Sequence, residues 1–247
     1  MSNAPLPIEA ITAIASASSI ARYQWRNRGR APAGYINGMA VAYATVCLKL
    51  YAGDSAAREM AKANTHLADK DALSWYAGIF DGHGLGNDAD GIGTLRHLFV
   101  LLLGLGMRES SGRFCEGRDR AAKNVSADTA EAGLFQMSWN AHRSSGEIPK
   151  LFEHYSAAKG SDLCARAIFA EGVKCTAKNL ENYGTGKGRQ FQELCKTCPQ
   201  FAVESAGVGL RHLRKHWGPI NRREAEVRVE ADEMFFAVQE LIAPPTA

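Results

Sequence analysis

No apolar run in the chain approaches the roughly 20 residues needed to cross a bilayer. The longest, around Leu98 to Gly106, has the length of a buried helix. The mildly apolar N-terminus lacks a basic leader and is interrupted by Glu9, so a secretory signal peptide is not expected. An excess of charge is missing too. With 29 Lys and Arg against 26 Asp and Glu, the net charge is +3, too small to imply a nucleic-acid partner. Strand-type alternation is scarce, and there is no internal repeat or low-complexity tract.

Paired cysteine motifs are also few. Only Cys195-Lys-Thr-Cys198 has CxxC spacing, whereas a four-thiolate zinc site commonly shows two such pairs. The six cysteines therefore leave three readings open: disulfides among Cys164, Cys175, Cys195 and Cys198, a zinc site built from those four, or buried thiols. No metal or cofactor is expected. The glycine-rich stretch "DGHGLGNDADGIGT" shares only its aspartates with a calcium loop. Its twelfth position from Asp81 is Ile92 rather than the required Glu, so it reads as a surface loop.

What is present is helical periodicity. Residues 7–25 can form a helix, followed by the arginine-rich linker "RNRGRAPAG", whose arginines read as a solvated face. A second helix, apolar on most sides, runs from Tyr35 and stops at Gly53. Asp54 and Asp71 stand where N-caps are needed for the next two. Thr94 is placed to cap the most apolar helix, 95–108. Two amphipathic helices close the chain, with "AGLFQMSW" as the one extended patch, part of a small hairpin. The expected layout is an N-terminal helix and basic linker over 1–34, then a single domain over 35–247.

Glu109 stands where the apolar helix ends, with Gly112 available to stop it. Such a carboxylate is either a surface helix end or a general acid. Burial can raise a carboxyl pKa by up to about 3–5 units, far more than the helix dipole does. A carboxyl kept protonated near neutrality can donate to a leaving glycosidic oxygen.

"RESSGR" followed by "AEAGLFQMSWN" resembles the lysozyme-like superfamily, in particular goose-type lysozymes and soluble lytic transglycosylases. The resemblance covers roughly residues 95–141. It implies a mainly α fold: a lysozyme-like α+β core over about 91–200, with a small hairpin region and additional N-terminal helices. It implies that Glu109 is the acid, that Ser110 buttresses it, and that Gln136 of Gly133-Leu134-Phe135-Gln136 lines the glycan cleft. Ser138, Trp139 and Tyr183 are then candidates for contact with sugar, Tyr183 from the segment "NYGTGKG", which echoes a transglycosylase motif out of order.

A second carboxylate is needed for hydrolysis, about 5–5.5 Å from the first for retention and about 6.5–9.5 Å for inversion; transglycosylases dispense with it. Glu131, just before the Gly-Leu-x-Gln segment, is favoured, with Asp119 next; Glu116 and Asp128 are further candidates. Trp139 and His97 each have the alternative of being core residues.

The resemblance implies a glycosidase or lytic transglycosylase cutting β-1,4 bonds of peptidoglycan, or of chitin or chitosan. A polysaccharide is the expected partner, with no integral membrane segment. Immunity or delivery partners are left open. Access to the cell wall would follow non-classical export or lysis. Two other classes compete: a non-catalytic glycan-binding module, and a nucleic-acid binder using "LRHLRKHW" and "NRREAEVR".

Overall fold

The computed structural model describes residues 6–118 and 126–244. It is mainly helical. Helix α1 (Ile8–Ala17) leads through a 3-10 turn into a hairpin of β1 (Gln24–Trp25) and β2 (Gly29–Arg30). There follow α2 (Ala33–Tyr51), α3 (Ser55–Met60), α4 (Ala72–Gly82) and α5 (Ile92–Ser110). An irregular stretch then precedes α6 (Glu147–Ala157) and two short helices, α7 (Arg166–Phe169) and α8 (Ala177–Leu180). The chain closes with α9 (Gly186–Thr197), α10 (Pro199–His212), α11 (Gly218–Asn221) and α12 (Val229–Ile242). No helix is long and apolar enough to cross a membrane among the described residues.

Helices that are apolar all round belong at the centre. Helix α5 is buried from Thr94 to Met107 except at Arg96, and packs against α2, α10 and α12. Helix α10 is buried along Pro199–Arg211 and packs against α3, α4, α6 and α9. Its two buried charges are matched. Glu204 accepts from Lys49 Nζ at 2.8 Å, Tyr155 Oη at 2.7 Å and Gln200 Nε2 at 2.8 Å. Arg211 donates to both Asp71 oxygens and to the carbonyls of Met60, Lys62 and Ala63. Pairing of this kind is the condition under which a charge can be buried. The N-terminal helix shares this core: α1 packs against α2 and α12 through the buried Ile11 and Ala15.

Asp54 and Asp71 cap as expected, accepting from the backbone N–H groups of Ala57 and Leu73. Other local expectations are corrected. The first helix ends at Ala17, because Ser18 turns to extended backbone; its N–H closes the last turn on the Ile14 carbonyl and its hydroxyl donates to the Ala15 carbonyl. The stretch expected as a linker is the hairpin, with Asn27 and Gly29 supplying left-handed backbone at its turn. Thr94 lies inside α5, which starts at Ile92 behind Gly91. Its hydroxyl donates to the Ala89 carbonyl instead of capping. The extended patch "AGLFQMSW" reduces to one antiparallel bridge, Ala132 to Met137, closing a turn over Gly133–Gln136.

Candidate active site

Helix α5 carries its apolar surface to the point where Glu109 emerges, half-buried, in its last turn. The helix stops there because Ser111 and Gly112 both take left-handed backbone, and their N–H groups return to the carbonyls of Met107 and Gly106. Beyond Glu109 opens a cleft of about 570 Å³. One wall is the loop leaving α5, with Glu116, Gly117 and Arg118. The other is Thr176, Lys178 and Asn179, at and inside α8. Gln136 also lines it. The 133–137 turn is tied to the first wall, since the Gly133 N–H donates to the Glu116 carbonyl at 2.9 Å.

The turn that presents Gln136 is held from behind. Gly133 sits at φ +77°, and a Cβ there would lie 2.6 Å from the Cys195 carbonyl oxygen. Only glycine meets both conditions without strain. Trp217 Nε1 donates to the Phe135 carbonyl at 2.8 Å, and His216 Nε2 lies 3.3 Å from the Gln136 carbonyl. Burial holds the His216 imidazole below its ordinary pKa, so it stays neutral and serves as a donor to that oxygen. Gln136 itself, with left-handed backbone, donates to the Gly133 carbonyl.

The Glu109 carboxyl is pushed up to about 7, first by burial and then by the neighbouring negative charge of Glu131. Arg28, Arg222 and Arg108 pull the other way. These arginines are organised. Arg222 and Arg108 converge on Glu224, at 2.9 Å and 3.1 Å, and hold its carboxyl down at about 2, the Arg222 hydrogen bond being the largest cause. Arg28, from the hairpin turn, donates to the Arg108 carbonyl. Glu109 is thus a carboxylic acid about half protonated at neutrality, facing an open cleft with a second carboxylate in electrostatic reach. It can give up a proton to a bound group and take one back.

The other sequence candidates scatter. Glu131 is half-buried beside this site. Asp119 lies outside the described residues. Glu116 lines the cleft and pairs with Arg113 at 2.5 Å. Ser110 is buried and donates to the Gly106 carbonyl within its own helix, so it supports α5 rather than the Glu109 carboxyl. Ser138 is buried and donates to Asn140 Oδ1. Trp139 is core: it packs on Phe152 and Phe191, with His142 stacked on its ring at 4.4 Å. Tyr183 is half-buried, with the Arg118 guanidinium 4.6 Å above its ring, which sets it behind the first wall. His97 is core as well, 2.9 Å from Asn87 Oδ1.

Arg28, Arg118, Thr176, Lys178 and Asn179 carried no sequence signal. The disulfide Cys115–Cys175 brings in Thr176, Lys178 and Asn179, whereas Arg28 arrives from the hairpin turn through the Arg108 carbonyl. Cys164–Cys198 is a bridge within the C-terminal four, as expected, whereas Cys175 pairs outside them with Cys115; Cys195 is left a buried free thiol, so the CxxC pair is not a zinc half-site. No cluster of three or more metal-ligating side chains occurs among the described residues. The basic segment "LRHLRKHW" is largely spent internally: Arg211 on Asp71, Arg214 on the Ala68 carbonyl and Asn221, and His216 on Gln136. Comparison of the chain with family models, with curated proteins and with solved structures gives no match.

Proposed function

We propose that this protein is a glycosidase with a lysozyme-like core that cuts β-1,4 bonds of peptidoglycan, with Glu109 as the general acid. The observation that carries the reading is Glu109 itself: a half-buried carboxyl at a helix end, raised to about 7, opening into a cleft that Gln136 also lines. Motif order and geometry both support this reading: the Glu-Ser and Gly-Leu-x-Gln segments each supply a side chain to the same cleft.

In this mechanism Glu109 donates its proton to the glycosidic oxygen as the bond to the anomeric carbon breaks. Glu131 stabilises the developing positive charge or activates the water that follows. If a substrate hydroxyl attacks instead, no second carboxylate is required and an anhydro sugar results. Gln136 offers an amide for hydrogen bonding to sugar, and Lys178 and Arg118 supply cations along the walls.

The test is incubation of the protein with purified peptidoglycan, chitin and chitosan, with mass analysis of the soluble fragments. Muropeptides are expected, their mass separating hydrolysis from the anhydro product. Release from chitin or chitosan alone would move the substrate but keep the chemistry. Binding to one of these polymers without fragmentation would mean a glycan-binding module and end the enzymatic reading.

A further inference from the structure

Helix α8 forms most of the second wall of the cleft, yet it buries none of its residues. Apolar packing therefore does not hold that wall in place. Among the described residues two anchors to the rest of the fold stand out, and beyond the helix the buried Gln192 holds both backbone groups of Tyr183. One is the Cys115–Cys175 disulfide, which joins positions 60 residues apart. Cys115 directly precedes Glu116 and Gly117 of the first wall, and Cys175 directly precedes Thr176 of the second. The other is Lys196, buried in α9, whose ammonium donates to the carbonyls of Asn179 at 3.1 Å and Glu181 at 2.6 Å. The walls also approach closely between the two anchors: a Cβ on Gly117 would stand 3.3 Å from the Asn179 backbone.

We infer that Cys115 and Cys175 are a positioning pair for the cleft, and that the second wall stands against Glu109 only while their bridge is intact. The four bridged cysteines are not equally buried. Cys115, Cys164 and Cys198 are buried, whereas Cys175 is half-buried. A dithiol reductant therefore meets this bridge first. Its thiolate attacks Cys175 Sγ and displaces the Cys115 thiolate. The second thiol of the reductant then resolves the mixed disulfide. Two electrons and two protons pass to the protein, giving two thiols, and the reductant closes to its own cyclic disulfide. Lys196, with Gln192 beyond it, remains as the hinge on which the wall swings. The cleft is thereby a device that depends on an oxidising setting, whatever glycan it takes.

The activity readout rests on the glycosidase reading; the structural one does not. Hydrogen exchange is measured on the full chain and on Cys115→Ser/Cys175→Ser, with Cys164→Ser/Cys198→Ser as comparison. The amides of residues 176–183 are expected to exchange about tenfold faster or more in the first variant, with α5 unchanged. On peptidoglycan that variant should show a KM raised about tenfold at nearly unchanged kcat, because Glu109 stays in place while the wall that holds the chain is lost. Should the double variant fail to fold, the folded wild type is reduced stepwise with dithiothreitol and alkylated. Mass analysis then identifies the species opened only at Cys115 and Cys175, on which exchange is read. Unchanged exchange at 176–183 overturns the inference, as does a variant whose α5 amides open together with the wall. If the oxidised wild type cuts no polymer, the glycosidase reading fails while the exchange result still decides this one.

Discussion

Replacing Glu109 with Gln keeps the shape of the side chain and removes the titrating proton. In the folded protein the Glu109 pKa is about 7, against an ordinary 4.5. The folded state therefore holds a proton between those values that the unfolded chain has already released. Its favourable contribution is complete below about pH 4.5 and is lost as pH rises through about 7, because ionising the group in place works against burial and against Glu131. The full displacement corresponds to about 3 kcal/mol. The carboxyl reaches open cleft, so water screens part of this, and about 2 kcal/mol is the working figure. Glu109→Gln should then equal the wild type in stability near pH 4 and exceed it by ~2 kcal/mol at pH 9. For a chain of this size that is a rise in Tm of roughly 4–8 °C. Urea or thermal melts of both proteins at half-unit steps from pH 4 to 9 read the difference, in which the other titrating groups cancel. A gap that stays constant across this range would refute the reasoning, since Glu109 would then titrate like any exposed carboxylate.

Three other changes probe the surroundings. Arg28→Ala removes a cation that steadies the Glu109 carboxylate, so the apparent pKa of Glu109 should rise further, by about half a unit; a carboxyl-carbon NMR titration reads it, and no movement would detach the hairpin from the site. Lys49→Met leaves Glu204 buried with only neutral donors and should cost ~3 kcal/mol in urea unfolding, largely recovered by adding Glu204→Gln; a loss near zero would mean that the pair contributes nothing. Gly133→Ala forces a Cβ to within 2.6 Å of the Cys195 carbonyl and should cost about 2 kcal/mol or more, whereas Gly160→Ala, with a similar φ and open space around it, should cost only about 1. Equal costs at the two sites would show that the 133–137 turn is not held as tightly as its contacts indicate.

Much of the helical frame was legible because its signals are local. Asp54 and Asp71 cap where a short acceptor precedes an apolar run, and the end of α5 follows from Gly112 after Glu109. The hairpin at Gln24–Arg30 was not legible. Its strands are two residues long, and an arginine-rich stretch with glycine and proline has the composition of a loop. Yet its turn delivers Arg28 to the end of α5. The candidate acid and Gln136 could be read because each lies in a motif. The second wall could not: Thr176–Asn179 lies some sixty residues beyond Glu116, and the bridge that recruits it is one of many pairings that six cysteines allow. Trp139 misled for a related reason. Its place beside the Gly-Leu-x-Gln turn suggested sugar stacking, but Phe152 and Phe191, from two other helices, claim its ring.

The central claim is that Glu109 supplies the proton that breaks a glycosidic bond. The most direct measurement is the release of soluble muropeptides from purified peptidoglycan by the wild type and by Glu109→Gln, side by side at pH 6. The account predicts steady release by the wild type and a rate lower by about three orders of magnitude or more in the variant, with its fold and polymer binding intact. Equal release by both proteins would contradict it.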